Sequence, residues 1–126
     1  MTKIALVDDD SSIRRSVCRL LRSHGYECVA YESAESALAD PGLTKMSCLL
    51  IDIELFGMDG FELRDRLHEL GSSVPHIFVT AHTESEVSEW VSRIGDSRFL
   101  TKPVEERLLL SAIESITLRK GGLPAA

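Results

Sequence analysis

Short apolar runs alternate along this chain with stretches of helical periodicity, and that alternation constrains the fold more than any other feature. KIALV (3–7), YECVA (26–30), CLLID (48–52), HIFVT (76–80) and RFLT (98–101) all have strand length. Residues 11–24 carry Ile13, Val17, Leu20 and Leu21 at helical spacing and stop at Gly25. Ser11 or Ser12 can cap that helix, with Asp10 lying near its positive end. SAESALA (33–39) reads as a short helix closed by Asp40-Pro41-Gly42, and residues 60–70 as one with Leu63, Leu67 and Leu70 inward and Gly71 as its stop. Val87, Trp90, Val91 and Ile94 stripe residues 84–94, while Leu108, Leu109, Ala112, Ile113 and Ile116 face inward from residues 104–118.

Strands that are apolar on both faces need cover on both faces, and the helices between them supply it through connections of two to six residues. The expected fold is α/β: a three-layer (βα)5 domain around a parallel sheet. Right-handed crossovers leave few topologies, of which the flavodoxin-like strand order 2-1-3-4-5 is favoured. The length of 126 residues suits one domain. Residues 1–119 are assigned to it, and the breaker-rich ending makes 120–126 a flexible tail or linker stub.

Composition removes several function classes. A net charge of −6 argues against direct nucleic-acid binding, which draws its affinity from Lys and Arg on phosphates. No apolar run approaches the roughly 18–20 residues that span a bilayer, and the opening MTKIALV runs straight into a strand with no signal peptide, so a cytoplasmic protein is expected. The three cysteines, Cys18, Cys28 and Cys48, are odd in number and sit in apolar runs without metal-ligand spacing. They are expected to be reduced, small buried hydrophobes and not a disulfide framework.

Placed on this scaffold, Asp8 and Asp9 follow the first strand, Asp52 ends the third, Thr80 ends the fourth and Lys102 follows the fifth. One at a time they have bland explanations: a helix cap, a turn hydroxyl, surface punctuation. Together they lie on the carboxyl edge of the sheet, where open α/β folds bind ligands at the reversal of strand order. Asp52 is the hardest to explain otherwise, because an acid ending an apolar strand needs a partner. Converging carboxylates repel and raise one another's pKa unless a cation joins them. A hard ion with oxygen ligands, Mg²⁺ or the similar Mn²⁺, resolves that conflict and draws phosphate oxygens to the crevice. The set suits a carboxylate that attacks phosphorus and holds the resulting aspartyl phosphate.

The motifs LVDDD, LLIDIELFGMDG, VTAH and FLTKPV, in this order and spacing, resemble the receiver domain of bacterial two-component response regulators from about residue 3 to residue 118. The resemblance implies that Asp52 is the phosphoacceptor. It implies that Asp9, Asp52 and the backbone carbonyl of Glu54 bind the metal directly, with Asp8 acting through a metal-bound water. It implies that Lys102 and Thr80 hold the phosphoryl group, that Thr80 and Phe99 switch together, and that the Lys102-Pro103 bond is cis. The partner implied is a sensor histidine kinase or phosphotransfer protein, and the output a changed face of the fourth helix, fifth strand and fifth helix. That face would serve a target protein or a phosphorylation-dependent homodimer. On this reading the chain is a signalling switch, not an enzyme, and catalyses only its own phosphorylation and dephosphorylation.

Two places depart from the family pattern. Leu55-Phe56 stands where Met-Pro is common, and Gly95-Asp96 where Gly-Ala is common. Glu54 and His82, each two residues past a site residue, should overhang the phosphate and tune its lifetime. The enzyme alternative is a dehalogenase-type phosphatase with an Asp nucleophile. It would want a second Asp where Glu54 stands, Thr or Val where Phe56 stands, and a cap domain. For output, a single-domain regulator and the N-terminal part of a transcriptional regulator are both open.

Overall fold

A computed structural model describes residues 2–94 and 98–120, so the expected tail and the Gly95-Asp96 departure lie essentially outside the described residues. The strands are β1 (Lys3–Val7), β2 (Glu27–Tyr31), β3 (Cys48–Asp52), β4 (His76–Thr80) and β5 (Phe99–Thr101). The helices are α1 (Ser11–Ser23), α2 (Ala34–Leu38), α3 (Gly60–Glu69), α4 (Glu84–Ile94) and α5 (Glu106–Lys120). All strands are parallel and the sheet order is β2-β1-β3-β4-β5, as expected.

Two-residue alternation divides the strand side chains between two apolar layers. Ala5, Val7, Leu49, Ile51 and Phe78 pack with Ala34 and Ala37 of α2 and Leu63 and Leu67 of α3. Ile4, Leu6, Cys28, Cys48, Leu50 and Ile77 pack with Cys18 and Leu21 of α1 and Leu109, Ile113 and Ile116 of α5. In register, Val7 faces both Tyr31 and Ile51, Asp52 faces Val79, and Thr80 faces Thr101. The carboxyl ends of the strands therefore finish nearly level.

Several local expectations are corrected. The cap of α1 is Asp10, whose Oδ1 accepts from the amides of Ser12 (2.8 Å) and Ile13 (3.3 Å); the serines lie inside the first turn. Leu70 is 69% exposed because it lies just past the last turn of α3, where Gly71 at φ +77° redirects the chain. Leu108 is 46% exposed, since the buried stripe centres on Leu109, Ile113 and Ile116 and Leu108 points about 100° away from Leu109. Residues 39–47 make a longer connection than expected, holding a 3-10 turn at Leu43–Lys45 that buries Leu43. α5 starts at Glu106, not at residue 104, and the Lys102-Pro103 bond before it is cis. Val87, Trp90 and Val91 are half-buried on α4; the Ile94 side chain is outside the described set.

The cysteine expectation also fails. Cys18 and Cys28 form a disulfide with Cα atoms 5.4 Å apart, leaving Cys48 as a buried free thiol. An odd cysteine count says nothing about which two meet. Packing α1 on β2 brings residues ten apart in sequence into bonding reach.

Among the described residues no helix is long and apolar enough to cross a membrane.

Candidate functional site

The fully buried polar or charged residues among those described are Asp8, Asp52 and Thr80, and all three lie at the carboxyl edge of the sheet. Asp52 continues the alternation of Cys48 and Leu50, so its side chain leaves β3 on the α1/α5 side, in step with Asp8 beyond Leu6 and Lys102 beyond Leu100. The three groups therefore meet. Lys102 Nζ donates to Asp8 Oδ2 and to Asp52 Oδ2, each at 3.2 Å. The other Asp52 oxygen accepts the Glu54 amide at 3.0 Å. Asp8 Oδ1 accepts the Asp10 amide at 2.9 Å, and its carbonyl accepts Arg14 Nη1 at 2.8 Å. Asp9 is exposed at the rim.

Burial raises the pKa of Asp52 and the nearby Asp8 charge adds to this, against the Glu54 amide and Lys102, which lower it. Burial also works against the charge on Lys102, yet the Asp52 and Asp8 carboxylates outweigh it and raise its pKa. One lysine thus balances two buried acids, with a third acid beside them. Carboxylate oxygens of Asp8, Asp9 and Asp52 lie within 4.8 Å of one another, an all-oxygen donor set that fits a hard divalent cation.

Thr80 Oγ1 accepts the His82 amide at 3.1 Å, and the Thr80 carbonyl accepts the Lys102 amide at 2.7 Å, tying β4 to the start of the lysine loop. Phe99 is half-buried, with its ring 5.3 Å from Phe78, 6.3 Å from Trp90 and 6.4 Å from Phe61. Glu54 and His82 are brought together as a bridge across the mouth. His82 Nε2 lies 3.2 Å from Glu54 Oε2 and Nδ1 lies 2.8 Å from Glu86 Oε2, with the Trp90 ring against its side. The Glu86 bond and the Glu54 charge raise the His82 pKa over the opposing effect of desolvation.

The β3–α3 loop is shaped by two glycines. A Cβ on Gly60 would come within 2.7 Å of the Asp52 carbonyl and 2.8 Å of Ile53 Cα, so only glycine lets α3 begin this close to the end of β3. Gly57 has φ +75°, and a Cβ there would meet Glu35 Oε2, which accepts the Met58 amide at 3.0 Å. Just before Gly57, Leu55 turns inward and Phe56 is 88% exposed. An open cavity of about 500 Å³ around Met46 and Leu70 lies at the opposite, amino edge of the sheet, away from the acids.

Three contributors went unrecognised in the sequence: Arg14, Glu35 and Glu86. The i, i+4 spacing of His82 and Glu86 was a usable signal. Arg14 and Glu35 touch the site region only through main-chain atoms, of Asp8 six residues away and of Met58 twenty-three residues away, and a main-chain partner leaves no side-chain pattern to read.

The chain is similar to nodulation protein W of Bradyrhizobium diazoefficiens, 35% identical over 116 residues that cover 92% of this chain and 51% of that protein. It is similar to response regulator protein TmoT of Ectopseudomonas mendocina, 33% identical over 89% of this chain and 51% of that one. The chain spans about half the length of these curated relatives. Among solved structures, the response regulator StyR superposes with a TM-score of 0.83 at 33% identity, covering 95% of this chain and 61% of that one. A CheY-like receiver domain protein from Methanospirillum hungatei superposes at 0.82 and 30% identity over 96% and 97% of the two chains. The family described as the response regulator receiver domain matches residues 4–114, nearly the whole of the sheet and its helices, and the chain belongs to that family.

Proposed function

We propose that this receiver accepts a phosphoryl group on Asp52, from the phosphohistidine of a sensor histidine kinase or phosphotransfer protein, and that the adduct changes the α4–β5–α5 face. The observation that carries this is the state of Asp52. It is a carboxylate 4% exposed, held by a lysine on one oxygen and an amide on the other, beside two further acids.

Asp9, Asp52 and the Glu54 carbonyl would hold Mg²⁺, with Asp8 placed to act through a bound water. When bound, the ion neutralises the acids and the charge on the transferring phosphoryl group. The protein's own residues do the rest. An Asp52 oxygen attacks phosphorus as the donor nitrogen leaves, and the apolar wall of β3 keeps that oxygen aimed outward. Lys102 then exchanges a carboxylate oxygen for a phosphoryl oxygen. Thr80, whose hydroxyl now accepts the His82 amide, donates instead to the phosphoryl group. Phe99, packed between Phe78 and Trp90, follows the space that Thr80 vacates. Contacts made only to the phosphorylated form are what shift the population.

The Glu54–His82 bridge covers the approach of water opposite Asp52, so Glu54→Ala and His82→Ala should both change the half-life of the adduct. Unchanged half-lives would remove the bridge from this account. As the chain covers half of its curated relatives, its output belongs either to a single-domain regulator or to a longer transcriptional regulator.

The test is incubation with Mg²⁺ and acetyl phosphate. We expect an acyl-phosphate adduct on Asp52 by mass spectrometry, absent from Asp52→Asn and strongly reduced without Mg²⁺. No adduct, or one that persists in Asp52→Asn, overturns the assignment.

A further inference from the structure

The Cys18–Cys28 disulfide has no part in the phosphoryl chemistry, yet it joins the two elements that hold Asp8. Arg14, Cys18 and Arg22 are four residues apart and so form one line along α1. Each end of the line grips the sheet side. Arg14 Nη1 donates to the Asp8 carbonyl at 2.8 Å, and Arg22 Nη2 donates to the Cys28 carbonyl at 2.9 Å. The disulfide lies between them. β2 holds the same acid from its other side, for the Asp8 amide donates to the Tyr31 carbonyl at 3.1 Å. Asp8 is therefore suspended between α1 and β2, and the disulfide is the covalent tie between its two supports.

We propose that Cys18 and Cys28 are a reversible redox site whose bonded state holds Asp8 firmly and whose dithiol state loosens it, giving the receiver a second, covalent input. The effect on metal binding rests on the function proposed above.

Both states suit the fold. Cys18 and Cys28 are 4% and 6% exposed in an apolar cluster with Ile4, Leu6 and Leu21, where two thiols are tolerated as small hydrophobes. Reduction breaks the S–S bond and forms two S–H bonds. Two electrons and two protons come from a dithiol donor, which leaves as a disulfide. Oxidation by a low-molecular-mass disulfide runs the other way and releases two equivalents of thiol. With both cysteines this buried, exchange passes through local opening of α1 from β2. The third cysteine does not interfere. Ile4 pairs with both Cys28 and Cys48, so Cys48 shares that sheet face two strands away, and burial pushes its thiol up to about 12, leaving it protonated.

The experiment uses the full chain, oxidised with glutathione disulfide or reduced with dithiothreitol. Alkylation in denaturant should label one cysteine in the oxidised form and all three in the reduced form. Amide hydrogen exchange, read without metal, should be slower at Asp8 and Asp10 in the oxidised form. Calorimetric Mg²⁺ titration should show affinity about fivefold or more higher in that form. Cys18→Ala, or Cys28→Ala should the first not fold, should behave as the reduced form under both treatments. Three labelled cysteines after oxidation, or equal exchange at Asp8 and Asp10 in both forms, overturns the proposal. If exchange differs while Mg²⁺ binds neither form, the redox link stands and the metal reading falls.

Discussion

At the scale of single residues, the site places charges where folding alone would not. The folded-state pKa of Asp52 is raised above its ordinary value of 3.8, chiefly by burial. The stability contributed by its proton is thus full below pH 3.8 and is lost as pH rises through the folded value. Near neutrality the ionised acid opposes folding. Asp52→Asn should therefore stabilise the fold at pH 7 by on the order of 1 kcal/mol, seen as a higher melting temperature, with the gain shrinking as pH falls toward 4. Thermal unfolding across that range checks it; a variant less stable at pH 7 contradicts the account. His82 has the opposite charge type and the same direction of shift. Its pKa is raised above 6.5 by Glu86 and Glu54, so its contribution is full below 6.5 and fades as pH rises through the raised value. An NMR titration of the ring should give a midpoint above 6.5, and Glu86→Gln should bring it back toward that value.

Among elements, the join of β3 to α3 positions the site most directly. Gly60 donates its amide to the Ile53 carbonyl at 3.0 Å and has no room for a side chain beside the Asp52 carbonyl. Gly60→Ala must move α3 or the end of β3, and we expect a loss of about 1–3 kcal/mol by denaturant unfolding. The same displacement should slow phosphorylation by acetyl phosphate. By contrast Phe56, in the same loop, is 88% exposed. The α1–β2 contact is the second influential join, because Asp8 hangs from both elements and a disulfide crosses between them.

For the whole molecule, the acids, lysine and hydroxyl come from four of the five strands, so a ligand there reports on most of the sheet. A cation bound by the folded chain alone stabilises it by mass action, about 2.7 kcal/mol at a hundred times its dissociation constant. Added Mg²⁺ should raise the melting temperature of this chain, and Asp9→Asn should remove most of that rise while leaving the metal-free value nearly unchanged. A melting temperature indifferent to Mg²⁺ would count against the cation site. Much of this architecture was legible in the sequence by itself. Runs such as CLLID and HIFVT are apolar on both faces and must be covered on both, which determined the parallel three-layer fold and put Asp8, Asp9, Asp52, Thr80 and Lys102 on one edge. Those inferences needed only local periodicity and connection length. Tertiary structure alone decided the Cys18–Cys28 bond, the suspension of Asp8 by Arg14 and Tyr31, and the Glu35 contact to the β3–α3 loop. Each depends on where two separately legible elements touch, and a residue's own periodicity carries no information about the neighbour that packing brings to it.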